Sequence, residues 1–280
     1  MNTAALRVMG DETPRPLALE VGIEAWGYAR LNREEIVPLR KMAPAWAPGE
    51  TPHHFFKYSD EQTILAAKAV ENAIERHQLD VREQANWGVI AAPQFLGRVA
   101  GANVFRRFLA TGAPGVSPHT IPQHSLHSVS GALSVLLTSR GPNVGVGGGP
   151  DALGNALLAA TSLFENSEAP ATWLVCTAWN PEPLPDREGN CSNQPVCHAF
   201  ALALRPTVLA PACGRLILHV SERSLVSTPE TNDASVAQVV EQLIALERTP
   251  RPRALQWRTT WGATAIMLVT SPAVRLPLAA

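Results

Sequence analysis

Short apolar runs alternate with amphipathic helical stretches along most of this chain, and that alternation restricts the fold more than any other feature. "LALEVGIEAWGYA" (Leu17 to Ala29) reads as a first strand. "SDEQTILAAKAVENAIERHQL" (Ser59 to Leu79) predicts a helix, because Ala66, Ala67, Val70, Ala73 and Ile74 recur at helical spacing. Ser59 is its expected N-cap, with Asp60 and Glu61 at the positive end of the dipole. "WGVIAA" (Trp87 to Ala92) reads as a buried strand and "ANVFRRFLAT" as a helix. "VSPHTIPQHSLHSVSGALSVLLTSR" begins as a loop and ends as a helix packed through Leu133, Val135 and Leu136. Then come "NVGVG" as a strand, Asp151 to Glu165 as a helix, and "ATWLVCTAW" and "VCHAFALALRP" as strands. "GRLILHVSERS" (strand) and "DASVAQVVEQLIALE" (helix) follow, and "RALQWRTT" and "TAIMLVTS" close the chain. Strands alternating with helices predict a parallel or mixed sheet with helices on its faces, and the late strands add antiparallel neighbours. No linker interrupts the pattern, so one domain over residues 1–280 is expected.

Composition narrows the function. A net charge of -1 argues against a nucleic-acid or anionic-membrane partner. Four cysteines, Cys176, Cys191, Cys197 and Cys213, are too few for a disulfide scaffold at this length, and reduced thiols in a cytoplasm are the simpler expectation. The start, "MNTAALRVMGDETPRP", has no apolar core of a signal peptide, and no apolar run is long enough to cross a bilayer.

The segment "GPNVGVGGGPDALGNALLAA" (Gly141 to Ala160) has the form of a reactive elbow: strand, glycine turn, helix. It fits no nucleotide signature. Gly145 to Pro150 lacks the third glycine of GxGxxG, and Asn155 and Ala156 stand where a Walker loop needs Lys and Ser or Thr. His124 and His127 are three apart, a spacing that can share a metal on a helix, but Pro122 and the serines suggest a loop and no third ligand lies nearby. Cys191 and Cys197 lack CxxC spacing, and Cys176 and Cys197 sit in apolar strands where a buried, inert thiol is the common case. GxSxG is absent, so a hydrolase triad has no anchor. No cofactor and no metal are expected.

Taken in order, several of these segments resemble the N-terminal half of β-ketoacyl synthases, the condensing enzymes of thiolase fold. "FFKYSDEQTILAAKAVENAI" resembles the family's early helix and "WGVIAAPQFLG" the strand and loop after it. "SPHTIPQHSLHSVSGALSVLLTSRGPNVGV" resembles its IP…N…G…GPN block, through Ile121-Pro122, Gly131 and Gly141-Pro142-Asn143. "LLAATSLFENSEAPATWLVCTAW" and "CHAFALALRP" resemble the helix and strands that follow, so the likeness spans roughly Gly22 to Pro206. It implies an α/β, thiolase-like fold: an α-β-α layered mixed sheet. One complete core half is expected over about 17–210, and a truncated second half over 211–280.

Two departures bear on chemistry. The resemblance places the family's acyl-accepting cysteine at Pro150, and the turn offers no thiol; His127 stands where the family block has an asparagine. The family's second half supplies two activating histidines, whereas His219 is the only histidine after Pro211. What the resemblance then implies is a non-catalytic, chain-length-factor-type subunit. Its partners would be an active ketosynthase and an acyl carrier protein, in type II polyketide, aryl polyene or fatty acid synthesis. Asn143, Val144, Gly145, Val146, Gly147, Gly148 and Gly149 are the expected dimer edge, and His124 and His127 the expected tunnel or loop residues. The alternatives are a thiolase-fold acyltransferase or hydrolase using Cys176, Cys191 or Cys197, and a stand-alone homodimer that binds acyl groups.

Overall fold

The computed structural model describes residues 17–42, 44, 46–47, 52, 54–165, 169–188, 190–191, 194–206, 213–220, 235–249, 251–259 and 263–270. The expectations for residues 1–16 and the boundary at 210/211 lie outside them. The strands are β1 (Leu17–Asn32), β2 (Gly88–Pro93), β3 (Asn143–Gly145), β4 (Thr172–Asn180), β5 (Val196–Pro206), β6 (Gly214–Val220), β7 (Arg253–Arg258) and β8 (Thr264–Val269). The helices are α1 (Arg33–Leu39), α2 (Glu61–His77), α3 (Arg98–Thr111), α4 (Thr120–His124), α5 (His127–Leu136), α6 (Ala152–Glu165) and α7 (Val236–Arg248).

One eight-stranded sheet runs in the order β3-β2-β4-β5-β1-β6-β8-β7. β3, β2 and β4 are parallel, and every other neighbouring pair is antiparallel. All six residues of β2 are buried, as befits an interior parallel strand covered on both sides. That is why it reads as a continuous apolar run rather than an alternation. α2 and α5 cover one face, against Val89, Ala91, Trp173, Val175, Ala199 and Ala201. α6 and α7 cover the other, against Ile90, Leu174, Cys176, Phe200, Leu202 and Leu204. The result is the α-β-α layering anticipated from the sequence. β6, β8 and β7 do not form a separate sheet; they continue this one past β1.

Inside β1 the register shifts between Ile23 and Ala25. The bulge switches the strand's alternation. Val21 and Ile23 face the α6/α7 layer, and beyond the bulge Trp26 takes that side while Ala25 and Ala29 face α2. α2 lies directly on the strand at Gly27, where an added Cβ would come within 2.3 Å of the Ala69 carbonyl oxygen.

The cap of α2 departs from expectation by one residue. Asp60, not Ser59, is the N-cap, and its Oδ1 accepts from the Gln62 amide at 2.9 Å. A carboxylate there satisfies the free amide and also meets the positive helix end. The Ser59 carbonyl accepts from the Arg40 guanidinium instead. A second correction concerns "TIPQHSLHS". Rather than a loop, it forms the short helix α4 and the first turn of α5.

Candidate functional site

The elbow stands at the sheet's edge. β3 pairs only with β2 among the described strands, so its outer side is the end of the sheet. Beyond it the Val146 amide donates to the Ala91 carbonyl at 2.9 Å, and the Phe95 amide to the Gly148 carbonyl at 3.2 Å. The chain then reverses through Gly147 and Gly148 at φ +90° and +95°, a region that favours glycine. Close approach adds a second demand: a Cβ on Gly145 would sit 2.5 Å from the Leu126 carbonyl oxygen. Gly149 has open space around it and Pro150 is exposed at the tip. α6 starts at Ala152, whose amide donates to the Gly149 carbonyl at 3.1 Å. The position that the resemblance gives to the acyl-accepting cysteine is thus a well-formed turn carrying a proline.

His124 ends α4 and His127 begins α5. His124 Nδ1 lies 3.4 Å from Asp60 Oδ2, tying α4 to the start of α2. Gly97, the N-cap of α3, lies close against α4, since an added Cβ there would sit 2.7 Å from the His124 Cβ. His127 is exposed, with Nδ1 3.3 Å from the Ser130 hydroxyl. Among the described residues no three histidine, cysteine or carboxylate side chains converge in a way that could hold a metal.

Beside the elbow lies a cavity of about 460 Å³ that sequence reading did not anticipate. It opens where β2 and β4 end, the customary ligand position in open α/β sheets. Its walls come from the β1–α1 junction (Asn32, Arg33), the first turn of α2 (Glu61, Gln62), the β2–α3 connection (Phe95, Arg98) and the β4–β5 connection (Trp179, Glu182, Cys191). Gln62 fixes two of these walls together. Its amide donates to the Gln94 carbonyl at 3.0 Å, and its Oε1 accepts from the Thr177 hydroxyl at 2.8 Å. Arg98 stacks on the Phe95 ring, 3.7 Å from its centroid, and one guanidinium nitrogen lies 3.5 Å from Glu182. The Glu182 carboxyl is pushed up to about 7, chiefly by burial; the Arg98 charge opposes the rise and the Asp60 charge adds to it. Glu61 pairs with Arg40 at 2.8 Å and with Arg33 at 3.7 Å.

Three of the four thiols are unsuited to nucleophilic work. Cys176, Cys197 and Cys213 are buried, and burial pushes the Cys176 and Cys197 thiols well above the ordinary range. Cys191 is half-buried on the cavity wall. A different kind of surface is displayed by α3, none of whose residues is buried. Phe105 and Leu109, one turn apart, are 71% and 80% exposed, and Ile121 on the neighbouring α4 is 79% exposed.

No family model and no curated protein matches the sequence. Solved structures do. A chain of "AntDE:AntF (apo)", a type II polyketide synthase acyl-carrier protein in complex with its ketosynthase bound to the hexaketide, is similar at 12% identity and TM-score 0.59; the match covers 91% of this chain and 100% of that one. A chain of the ishigamide ketosynthase/chain length factor is similar at 16% identity and TM-score 0.55, over 90% of this chain and 99% of that one. A β-ketoacyl synthase from Burkholderia phymatum STM815 is similar at 14% identity and TM-score 0.52, over 82% of this chain and 70% of that one. The fold is therefore the thiolase-like fold of ketosynthase structures. Among the described residues no helix is long and apolar enough to cross a membrane.

Proposed function

We propose that this chain is a non-catalytic, chain-length-factor-type subunit that pairs with an active β-ketoacyl synthase and works with an acyl carrier protein. The pathway would be type II polyketide, aryl polyene or fatty acid synthesis. The elbow carries the reading: the chain forms a strand, two positive-φ glycines and a helix start, and Pro150 stands where the resemblance places the nucleophile. Residues 211–280 would be the shortened remnant of a second half, within a single domain. Pairing uses the free edge at β3, and the exposed apolar residues of α3 and α4 extend that surface. Contacts run without a break from β3 to α5, α4 and α3.

Affinity purification of the tagged chain from its own cells, with intact-mass analysis, tests this. A stoichiometric ketosynthase in the eluate is the expected result. A homodimer alone, carrying a bound acyl ligand, would replace the pairing with stand-alone acyl binding.

A further inference from the structure

The first turn of α3 and the β4–β5 connection meet beside the cavity at the ends of β2 and β4. We infer that this junction is a pH-operated joint: ionisation of Glu182 draws water between α3 and the connection and frees the helix, and protonation of Glu182 lets the two close. The attachment of α3 suits such a movement. None of its residues is buried, and it packs mainly against α4 and the 3₁₀ turn Ala113–Gly115 rather than against the sheet. Two arginines, about two helical turns apart, tie it to the connection. Arg98 lies 3.5 Å from the Glu182 carboxyl, and the Arg106 guanidinium donates to the Glu188 carbonyl. Both carboxyl oxygens of Glu182 are shielded from solvent in the closed form. The adjoining cavity of about 460 Å³ gives water room to reach them after a small displacement of the helix.

The surroundings hold the ionised form of Glu182 badly. Around it stand Arg98 on α3, Asp60 and Glu61 at the start of α2, and Arg33 and Glu34 at the start of α1. His124 on α4 lies behind Asp60, and Asp186, Arg187 and Glu188 follow in the connection itself. Arg33 and Arg40 are committed to Glu61, and His124 to Asp60. Arg98 serves Glu182 at a distance longer than a charge-assisted hydrogen bond. Stripping water from a carboxylate costs more than such a contact returns, so the group is held near 7 in the closed form. Once hydrated in the open form, it returns to the ordinary carboxylate range. Closing therefore takes up a proton. The ratio of open to closed rises by up to tenfold per pH unit from the ordinary carboxylate range to 7, then levels off. Between pH 5 and pH 8 the rise amounts to about 50- to 100-fold. Because α3 also carries Phe105 and Leu109, the joint sets how firmly that apolar face is presented.

Hydrogen exchange of the full-length chain, read by mass spectrometry at pH 5 and pH 8, tests this. Each peptide's rate is divided by the intrinsic rate of unstructured chain at the same pH, so that only opening is compared. Peptides of α3 (Arg98–Thr111) should open about 50- to 100-fold more at pH 8. α5, anchored by the buried Val129 and Leu133, is the internal reference and should not respond. Glu182→Gln cannot ionise, so α3 should keep its pH 5 protection at pH 8. Arg98→Gln removes the charge that opposes the rise, so its response should continue above pH 7 instead of levelling off, which loss of a structural contact would not produce. If neither variant folds, the carbon shift of Glu182 Cδ in the parent protein should titrate near 7 in step with α3 exchange. Equal corrected exchange of α3 at the two pH values, a response shared by α5, a response that survives in Glu182→Gln, or a Glu182 that titrates in the ordinary carboxylate range would each overturn the inference.

Discussion

Replacing Gly27 by alanine adds one methyl group where α2 lies directly on β1. The new Cβ would lie 2.3 Å from the Ala69 carbonyl oxygen, 2.4 Å from the Ala73 nitrogen and 2.8 Å from the Ala73 Cα. All three are backbone atoms, so no rotamer change relieves the overlap. Relief needs α2 to lift by about 1 Å, and a gap of that size forfeits a quarter to a half of the dispersion energy of each contact across it. The helix buries eleven residues, among them Ile64, Leu65, Val70 and Ile74. The loss should reach about 3–5 kcal/mol, at or above the upper end of ordinary overpacking and a large part of a domain's total stability. Urea denaturation followed by circular dichroism measures it. Gly149→Ala is the internal comparison, because no atom lies within 4 Å of its Cβ; its effect should stay within about 0.5 kcal/mol. A Gly27→Ala protein as stable as its parent, or a Gly149→Ala protein equally damaged, would refute the packing argument.

Iodoacetamide at pH 8 should modify Cys191 alone among Cys176, Cys191, Cys197 and Cys213 in the native protein, because the other three are buried; peptide mass mapping checks this, and rapid labelling of Cys176 or Cys197 would revive a thiol enzyme. Phe105→Ser combined with Leu109→Ser should leave stability within about 1 kcal/mol but weaken co-purification with the ketosynthase at least tenfold, since both side chains are exposed in the lone chain. Burial tends to raise the Glu247 carboxyl, but the Tyr28 hydroxyl and Arg76 outweigh it and hold the group below its ordinary range. A lowered carboxyl contributes stability at neutral pH that is lost as pH falls through the carboxylate range. Glu247→Gln should thus destabilise by less than about 1 kcal/mol at pH 7, the pair being partly exposed, and by progressively less as the pH falls through the carboxylate range. Glu182 has the opposite sign. Its carboxyl is raised to about 7, so stability declines as pH climbs from the ordinary carboxylate range to 7, and Glu182→Gln should raise the melting temperature more at pH 8 than at pH 5.

The framework was legible because strands and helices here announce themselves by period. β2, β4 and β5 are apolar runs of strand length, and α2 and α7 carry clear apolar faces. The adjacent late strands proved antiparallel neighbours, as read. Finer features escaped for physical reasons. Asp60 and Ser59 are both good caps, and only the tertiary contact from Arg40 to the Ser59 carbonyl separates them. Pro122 suggested a loop around His124, but it falls within the first turn of α4, where a missing amide hydrogen leaves no bond unmade. The elbow was visible as a glycine cluster beside a helix. The cavity was not, because two of its wall residues, Arg98 and Glu182, meet only when β2 and β4 lie side by side. Each contributing segment is unremarkable by itself, and no local spacing reports the assembly.

The position of β1 also governs when this protein can fold. It is the first strand among the described residues, yet both its neighbours come late: Asn32 pairs with Val196 and Leu17 with Val220. During synthesis, β1 waits until β5 (Val196–Pro206) has emerged before its first edge is satisfied, while β2, β3 and β4 can pair among themselves earlier. Loop closure over such separations is slow, and a sixteen-residue strand with two open edges is a template for wrong pairing in the meantime. The nascent chain should therefore pass through a sub-assembly of β2, β3, β4, α5 and α6, and remain dependent on chaperones until β5 and β6 close over β1.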